Sequence, residues 1–363
     1  MGRMLIQSGI DLNLNFSVLD PDKNASCSGI AGKFVVGKLT DEQTVHSFAK
    51  EANIVTIEIE NVNIEALKKL QAEGKQVYPQ PEIIEIIQDK GLQKKFFADH
   101  HIPSPDFILA ENKEEVKKHI NRFPVFQKLR KGGYDGKGVV KLKDSTYMAN
   151  AFDAPCVLET LVDLKKEISV IVARNIHGEV KTFPTVECDF NQEANLVEFL
   201  FSPADISDNL EKEAQRLAKE VAEKLGIVGI LAVEMFVTKK DTLLVNELAP
   251  RPHNSGHHTI EGNITSQFEQ HLRSILGLPL GDTAITSPAV MLNLLGEKGY
   301  EGNAVYLGLE EVLAMSGVYV HLYGKEKTKP FRKMGHVTVT AETIASARDK
   351  AHKVKQILKV ISA

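Results

Sequence analysis

Apolar positions in the first eighty residues fall in short runs separated by stretches with helical spacing. FSVLDP, IVTIEIENV and QVYP read as strands, with DEQTVHSFAKEA and IEALKKLQAEG as helices between them. That alternation predicts an α/β unit over 1–82, a parallel sheet with crossover helices, closed by Pro79-Gln80-Pro81. A helix over 82–97 follows, then the strand PDFILA, the helix EEVKKHINRF, and the strand PVFQKL running into KGGYDGKG and GVVKL. This is an α+β pattern with a mobile lid over about 107–160. Between 187 and 205 no period is readable. Over 209–225, Leu210, Ala214, Leu217, Ala218, Val221, Ala222 and Leu225 share one face, and Gly226 ends the helix. From about 287, AVMLNLLG, VYVHLYGK, MGHVTVT and a basic closing helix over about 346–358 make a small C-terminal domain. The expected domains are therefore 1–82, 83–286 and 287–363.

Composition narrows the function classes. With 363 residues, 43% hydrophobic and 25% charged, the chain is an ordinary globular protein of two or three domains. Lys+Arg 44 against Asp+Glu 48, a net charge of -4, gives no general attraction to nucleic acid or to an anionic membrane. Any anion site must be local. Cys27, Cys156 and Cys188 lie far apart, without the spacing of a zinc ribbon or disulfide framework, so a reducing cytoplasm fits best. No apolar run approaches the ~20 residues that span a bilayer, and the start MGRMLIQSG is too short for a signal peptide.

The stretch 243–258, LLVNELAPRPHNSGHH, is where chemistry concentrates. An apolar run ends in a crowd of polar groups, and a ligand satisfies them more simply than buried partners would. GILAVEMFVT (229–238) and LLVNELAP (243–250) are strands joined by the turn KKDT. If Thr238 and Leu243 close that turn, Glu234 faces Glu247; a turn one residue shorter sets Glu234 opposite Asn246 instead. Facing carboxylates repel unless a cation lies between them. Mg²⁺ suits such a pair, since it takes one or two carboxylates and leaves other positions to phosphate and water. Two glutamates solvated separately on a wet face are the other reading. The glycines of KLRKGGYDGKG (128–138) let backbone N–H groups approach phosphate, with Lys128 and Lys137 beside them. The order is not that of a Walker A loop, and a plain hairpin turn is the alternative. His253, His257 and His258 lack the His-Glu-x-x-His spacing of a zinc helix, and turn bonding accounts for them without metal.

Taken in order, QDKGLQKKFF, GGYDGKG, LETLVDLKKEIS, AVEMFV, NELAPRPHNSGHHT and FRKMGH resemble the 5-(carboxyamino)imidazole ribonucleotide synthase family of purine biosynthesis, within the ATP-grasp superfamily. The likeness runs from about Met1 to Val339. It implies an ATP-grasp fold with an N-terminal Rossmann-like domain and a small C-terminal domain. The implied activity is carboxylation of aminoimidazole ribonucleotide by ATP and bicarbonate through carboxyphosphate, with ATP and Mg²⁺ bound and the protein a homodimer.

The resemblance makes Glu234 and Glu247 magnesium ligands. It puts Lys90, Lys128, Gly133, Tyr134, Asp135, Gly136, Lys137, Gly138, Asn246 and Glu247 at ATP. Glu159, Thr160, Leu161 and Val162 look like the hinge that receives adenine, and Glu167 like the ribose-binding carboxylate. Tyr134, Asp135, Arg251, His253, Asn254, Ser255, Lys325 and Arg332 fall at the ribonucleotide. Asp135, Arg251 and Lys128 are the catalytic candidates, with Asp135 placed to handle the amine proton. Two departures stand out. Phe190 occupies a position where the family often has histidine, and relatives begin with a strand and glycine turn before their LGRM, so the first strand of the parallel sheet is expected to be missing. Another ATP-grasp ligase with a different acceptor, or a nucleotide-binding regulator without turnover, are the rival functions.

Overall fold

The computed structural model describes residues 1–133, 138–191 and 196–363. Tyr134, Asp135, Gly136 and Lys137 lie outside the described residues. In the N-terminal unit, Ser17–Asp20 pairs in parallel with Lys33–Val36, and Ile54–Val55 in parallel with Gln76–Val77. The two pairs form separate sheets, with no ladder between Ser17–Asp20 and Ile54–Val55. The helices between the strands carry side-chain caps: Asp41 accepts from the Thr44 amide and Asn63 from the Ala66 amide, each at 2.8 Å. Val45, Leu67, Leu70, Val77 and Ile84 fill the core of this unit.

The expected single helix over 82–97 is two helices, Pro81–Gln88 and Lys90–Asp99. Asp89 breaks it. Its backbone is extended (φ -115°, ψ 105°), and its carboxylate accepts from the amides of Gly91 and Leu92 while pairing with Arg130 Nη2 at 2.8 Å. The capping bonds offset the interrupted ladder, and Lys90 becomes the first residue of the second helix.

A nine-stranded sheet dominates the remainder. Its order runs from Leu243–Ala249 through Gly229–Thr238, Leu164–Arg174, Val186–Asn191, Leu196–Ser202, Ala289–Leu295 and Lys333–Thr340 to Val318–Leu322, with Val180–Thr182 added on Leu164–Arg174. The ladder of Phe199 with Leu292 and Phe201 with Val290 carries this sheet across the expected boundary near 287. The 187–205 stretch, in which no period was readable, supplies two paired strands. Leu196–Ser202 is buried on both faces at its end, with Phe199 and Phe201 in one core and Leu200 in another. Such a strand shows no polar alternation to read.

The helix Asp208–Leu225 packs Ala214, Leu217, Ala218 and Val221 on the sheet, capped by Ser207 and ended by Gly226 at φ 66°. A separate four-stranded antiparallel sheet, in the order Phe107–Ala110, Cys156–Thr160, Val125–Leu129, Val139–Leu142, touches the main sheet's edge strand through Lys128 and Asn246. No helix among the described residues is long and apolar enough to cross a membrane.

Candidate active site

Where the two sheets meet, the hairpin of Gly229–Thr238 and Leu243–Ala249 carries the carboxylates. Glu234 is the Cα partner of Glu247. The route to that pairing differs from simple counting. Val237, not Thr238, pairs with Leu243, which continued unbroken would set Glu234 opposite Asn246. A β-bulge between Met235 and Glu234 takes up one residue, Asn246, and restores the facing pair. It has a second effect. Successive strand residues normally point to opposite faces, but a bulge lets two neighbours share one. Val245 and Leu248 are buried while Asn246 and Glu247, between them, are both half-exposed. Asn246 Oδ1 accepts from Lys128 Nζ at 3.0 Å, and Glu247 pairs with Lys90.

The electrostatics separate the carboxylates. Burial, then the charges of Glu247 and Glu167, push Glu234 up to about 7. Glu167, on the neighbouring strand, is pushed by burial to about 6. Burial acts on Glu247 too, but Lys90 foremost, with Lys128 and Arg251, holds it below the usual carboxylate range. The set is crowded, oxygen-only and short of positive charge on the Glu234 side, which is the donor chemistry that magnesium takes. Among the described residues no group of three or more His, Cys, Asp or Glu is arranged to hold a metal ion, so any cation here relies on the two glutamates with water and substrate oxygens.

Cations converge from the other sheet. Lys128, near the end of Val125–Leu129, places Nζ 2.6 Å from Glu159 Oε2 as well as on Asn246. Glu159 is only 4% exposed. Its other oxygen lies 3.1 Å from Lys94 Nζ, so its carboxylate is committed to two lysines, and Thr160, Leu161 and Val162 follow it in the chain. Lys94 was not singled out from sequence. The signal available was its spacing, four residues beyond Lys90 on one helix. Gly133 and Gly138 flank the 134–137 segment, and Gly138 has φ 77°, a left-handed conformation that favours glycine.

The polar turn after the hairpin forms a second cluster. Arg251 Nε lies 2.8 Å from Glu60 Oε1, a partner in the N-terminal unit that sequence reading missed. His253 Nδ1 is 2.9 Å from Ser255 Oγ, which is 2.8 Å from Ser169 Oγ, and His253 Nε2 stands 3.5 Å from Glu234 Oε1. Gln267 fixes the turn by accepting from the His253 amide at 2.9 Å and donating to its carbonyl at 2.7 Å. Burial, then Arg251 and Lys333, pull His253 down to about 3, so its imidazole is neutral. Asn254 opens the short 3₁₀ turn Asn254–Gly256. Lys325 and Arg332 sit on the C-terminal unit, donating to the carbonyls of Lys333 (2.7 Å) and Lys327 (2.6 Å). Phe190 lies on Val186–Asn191, paired with Val197.

Comparison with known proteins decides the family. The chain matches the Ribonucleotide synthetase preATP-grasp domain over 1–88, the ATP-grasp domain over 95–268 and the Phosphoribosylaminoimidazole carboxylase C-terminal domain over 289–350. It is 37% identical over 345 residues to the N5-carboxyaminoimidazole ribonucleotide synthase of Bacillus subtilis, covering 93% of this chain and 88% of that protein. The chain belongs to the N5-carboxyaminoimidazole ribonucleotide synthase family. Members of this family are ATP-grasp ligases of purine biosynthesis, and the compound they make is the 5-(carboxyamino)imidazole ribonucleotide of the sequence resemblance. The solved synthetase of Thermotoga maritima superposes with a TM-score of 0.92 at 41% identity, covering 100% of this chain and 97% of that one. The Aspergillus clavatus synthase, solved with ADP and 5-aminoimidazole ribonucleotide, gives 0.89 at 31%, covering 98% and 95%.

Proposed function

We propose that this protein carboxylates 5-aminoimidazole ribonucleotide in two steps, with ATP and bicarbonate as co-substrates. A bicarbonate oxygen attacks the γ-phosphorus of ATP, ADP leaves, and carboxyphosphate forms. The substrate amine then attacks the carboxyl carbon, or the CO₂ that carboxyphosphate releases; phosphate departs and the amine gives up a proton. The observation that carries this reading is the Glu234–Glu247 pair with Lys90 on Glu247 and Lys128 on the adjacent Asn246, acidic and basic groups gathered at one place.

Magnesium fits these residues, since Glu234 is pushed up to about 7 by burial and by its neighbours' negative charge, a strain that a divalent cation relieves. Glu234 and Glu247 would hold the ion, which when bound neutralises charge on the transferring phosphoryl group. Lys90 and Lys128 orient phosphate oxygens, and positioning with charge neutralisation supplies most of the catalysis in such transfers. Arg251, the neutral His253, Lys325 and Arg332 bind the ribonucleotide, and Asp135 takes the amine proton. The assembly is a homodimer in the cytoplasm, as the resemblance implies.

ADP release measured with and without aminoimidazole ribonucleotide and bicarbonate, together with transfer of labelled bicarbonate into product, tests the proposal. Stimulation by both co-substrates, with label in the product, is expected. Turnover on a different acceptor and none on this one would overturn it.

A further inference from the structure

Lys94 is 2% exposed, an uncommon setting for a lysine. Its ammonium lies 3.1 Å from Glu159 Oε1 and 5.7 Å from the centroid of the Phe97 ring. The Glu159 contact is off the angle of a good hydrogen bond, and Nζ has no other hydrogen-bond partner among the described residues. Glu159 Oε2 meanwhile holds Lys128 at 2.6 Å. Two lysines therefore share one buried carboxylate.

The charge count is what makes this arrangement more than packing. A lone Glu159–Lys128 pair would be neutral, with the Lys128 ammonium spent on a permanent partner. A second lysine on the same carboxylate leaves the triad with one net positive charge, and Lys94 cannot present that charge to a ligand because it is enclosed. Lys128 can, since it reaches Asn246 at the edge of the carboxylate cluster. The sharing is built into one helix: Lys90 at its first position meets Glu247, and Lys94 one turn later, on the same face, meets Glu159. Burying Lys94 carries a desolvation cost; burial pulls its ammonium below the usual lysine range, with Glu159 opposing. A well-packed apolar residue would have avoided that cost.

We propose that Lys94 is a positioning residue for the nucleotide: by drawing on Glu159 from behind, it keeps Lys128 available to a phosphate of ATP. This rests on the reading of Lys128 as a phosphate ligand given above.

The test compares Lys94→Met, the double variant Lys94→Met/Glu159→Gln, and Lys128→Met, reading KM for ATP, KM for aminoimidazole ribonucleotide and ADP affinity by calorimetry. Lys94→Met should raise the ATP KM by about tenfold, the scale of one charge-assisted bond, and leave the ribonucleotide KM within about twofold. The double variant frees Lys128 from its neutral pairing and should bring the ATP KM back to within about threefold of the parent. An unchanged ATP KM in Lys94→Met, equal losses for both substrates, or no recovery in the double variant would overturn the proposal. If Lys94→Met does not fold, Lys94→Gln, which removes the charge but keeps a donor beside Glu159, is read in its place by the same ATP criterion. Lys128→Met separates the two levels: if it binds ADP and uses ATP like the parent, the reading of Lys128 itself fails, whatever Lys94 does.

Discussion

Arg251 Nε stands 2.8 Å from Glu60 Oε1, tying the turn that follows the carboxylate hairpin to the N-terminal unit. The pair is an ion contact without good hydrogen-bond geometry, since Arg251 Nε has no hydrogen-bond partner among the described residues. Arg251 Nη1 donates to the Pro252 carbonyl at 3.1 Å, and the Glu60 contact is the ion pair that an anionic substrate can replace. Arg251→Ala is therefore expected to weaken ribonucleotide binding by about tenfold or more while changing ATP binding less than about twofold. Separate titrations of the two substrates check this, and an equal loss for both would show that Arg251 serves the hairpin rather than the ribonucleotide.

Glu234→Gln and Glu247→Gln should each lower turnover by about two orders of magnitude with the fold intact, because each removes one of two carboxylates proposed for the metal. Their stabilities should differ. Without divalent cation at pH 8, Glu234→Gln relieves the facing repulsion and should melt about 2 °C above the parent. Glu247→Gln strips Lys90 of its carboxylate partner and should melt lower. Thermal melts in chelator, read beside steady-state rates, separate these outcomes. Near-normal activity of either variant at saturating Mg²⁺ would remove that residue from the metal site.

How much of this was legible depends on how local the cause is. The carboxylate hairpin was readable because two β-type runs and a short polar turn are adjacent in sequence. The bulge at Asn246 was not, because the register beyond a turn depends on a single residue, and an inserted residue changes that register partway along the pair without a mark in the local apolar pattern. The break at Asp89 was hidden for a different reason. Ile83, Ile84 and Ile87 give a helical spacing that Phe97 continues, and what ends the first helix is a cap whose ion-pair partner, Arg130, is distant in sequence. Lys94 reads as a surface lysine until its burial is seen. The Arg251–Glu60 pair joins two units that no sequence pattern connects.

Buried histidines give the protein a definite acid response. His271 accepts from the Ile230 amide at Nδ1 and meets Thr56 Oγ1 at Nε2, 2.8 Å away. Burial pulls His271 and His258 each down to about 4. A histidine whose folded value lies below its unfolded value of about 6.5 contributes stability above the unfolded value and loses it as pH falls through the folded one. Stability should accordingly fall from about pH 6.5 towards 4. Denaturant titrations at pH 7.5 and pH 5 measure the loss, and His271→Gln, which keeps polar atoms but cannot ionise, should make it shallower. An unchanged slope in that variant would mean that His271 is not among the groups responsible.

The bulge yields the last prediction. Because it turns Asn246 and Glu247 to the same face, one strand delivers an amide to Lys128 and a carboxylate to Lys90 side by side. The bulge itself is held by backbone pairing on either side, Met235 with Val245 and Glu234 with Glu247, so it does not need the asparagine side chain. Asn246→Ala should then leave the melting temperature close to that of the parent and the Glu234–Glu247 pairing unchanged. Lys128 would lose one of its two anchoring contacts and swing towards Glu159. The ATP KM should rise by about threefold to tenfold, the worth of one hydrogen bond to a charged group, with the ribonucleotide KM little changed. Steady-state kinetics with each substrate varied in turn, alongside a thermal melt, is sufficient. A variant with parental ATP kinetics would show that Asn246 only fills the bulge, and a large drop in melting temperature would show that its side chain, not the backbone, shapes the strand.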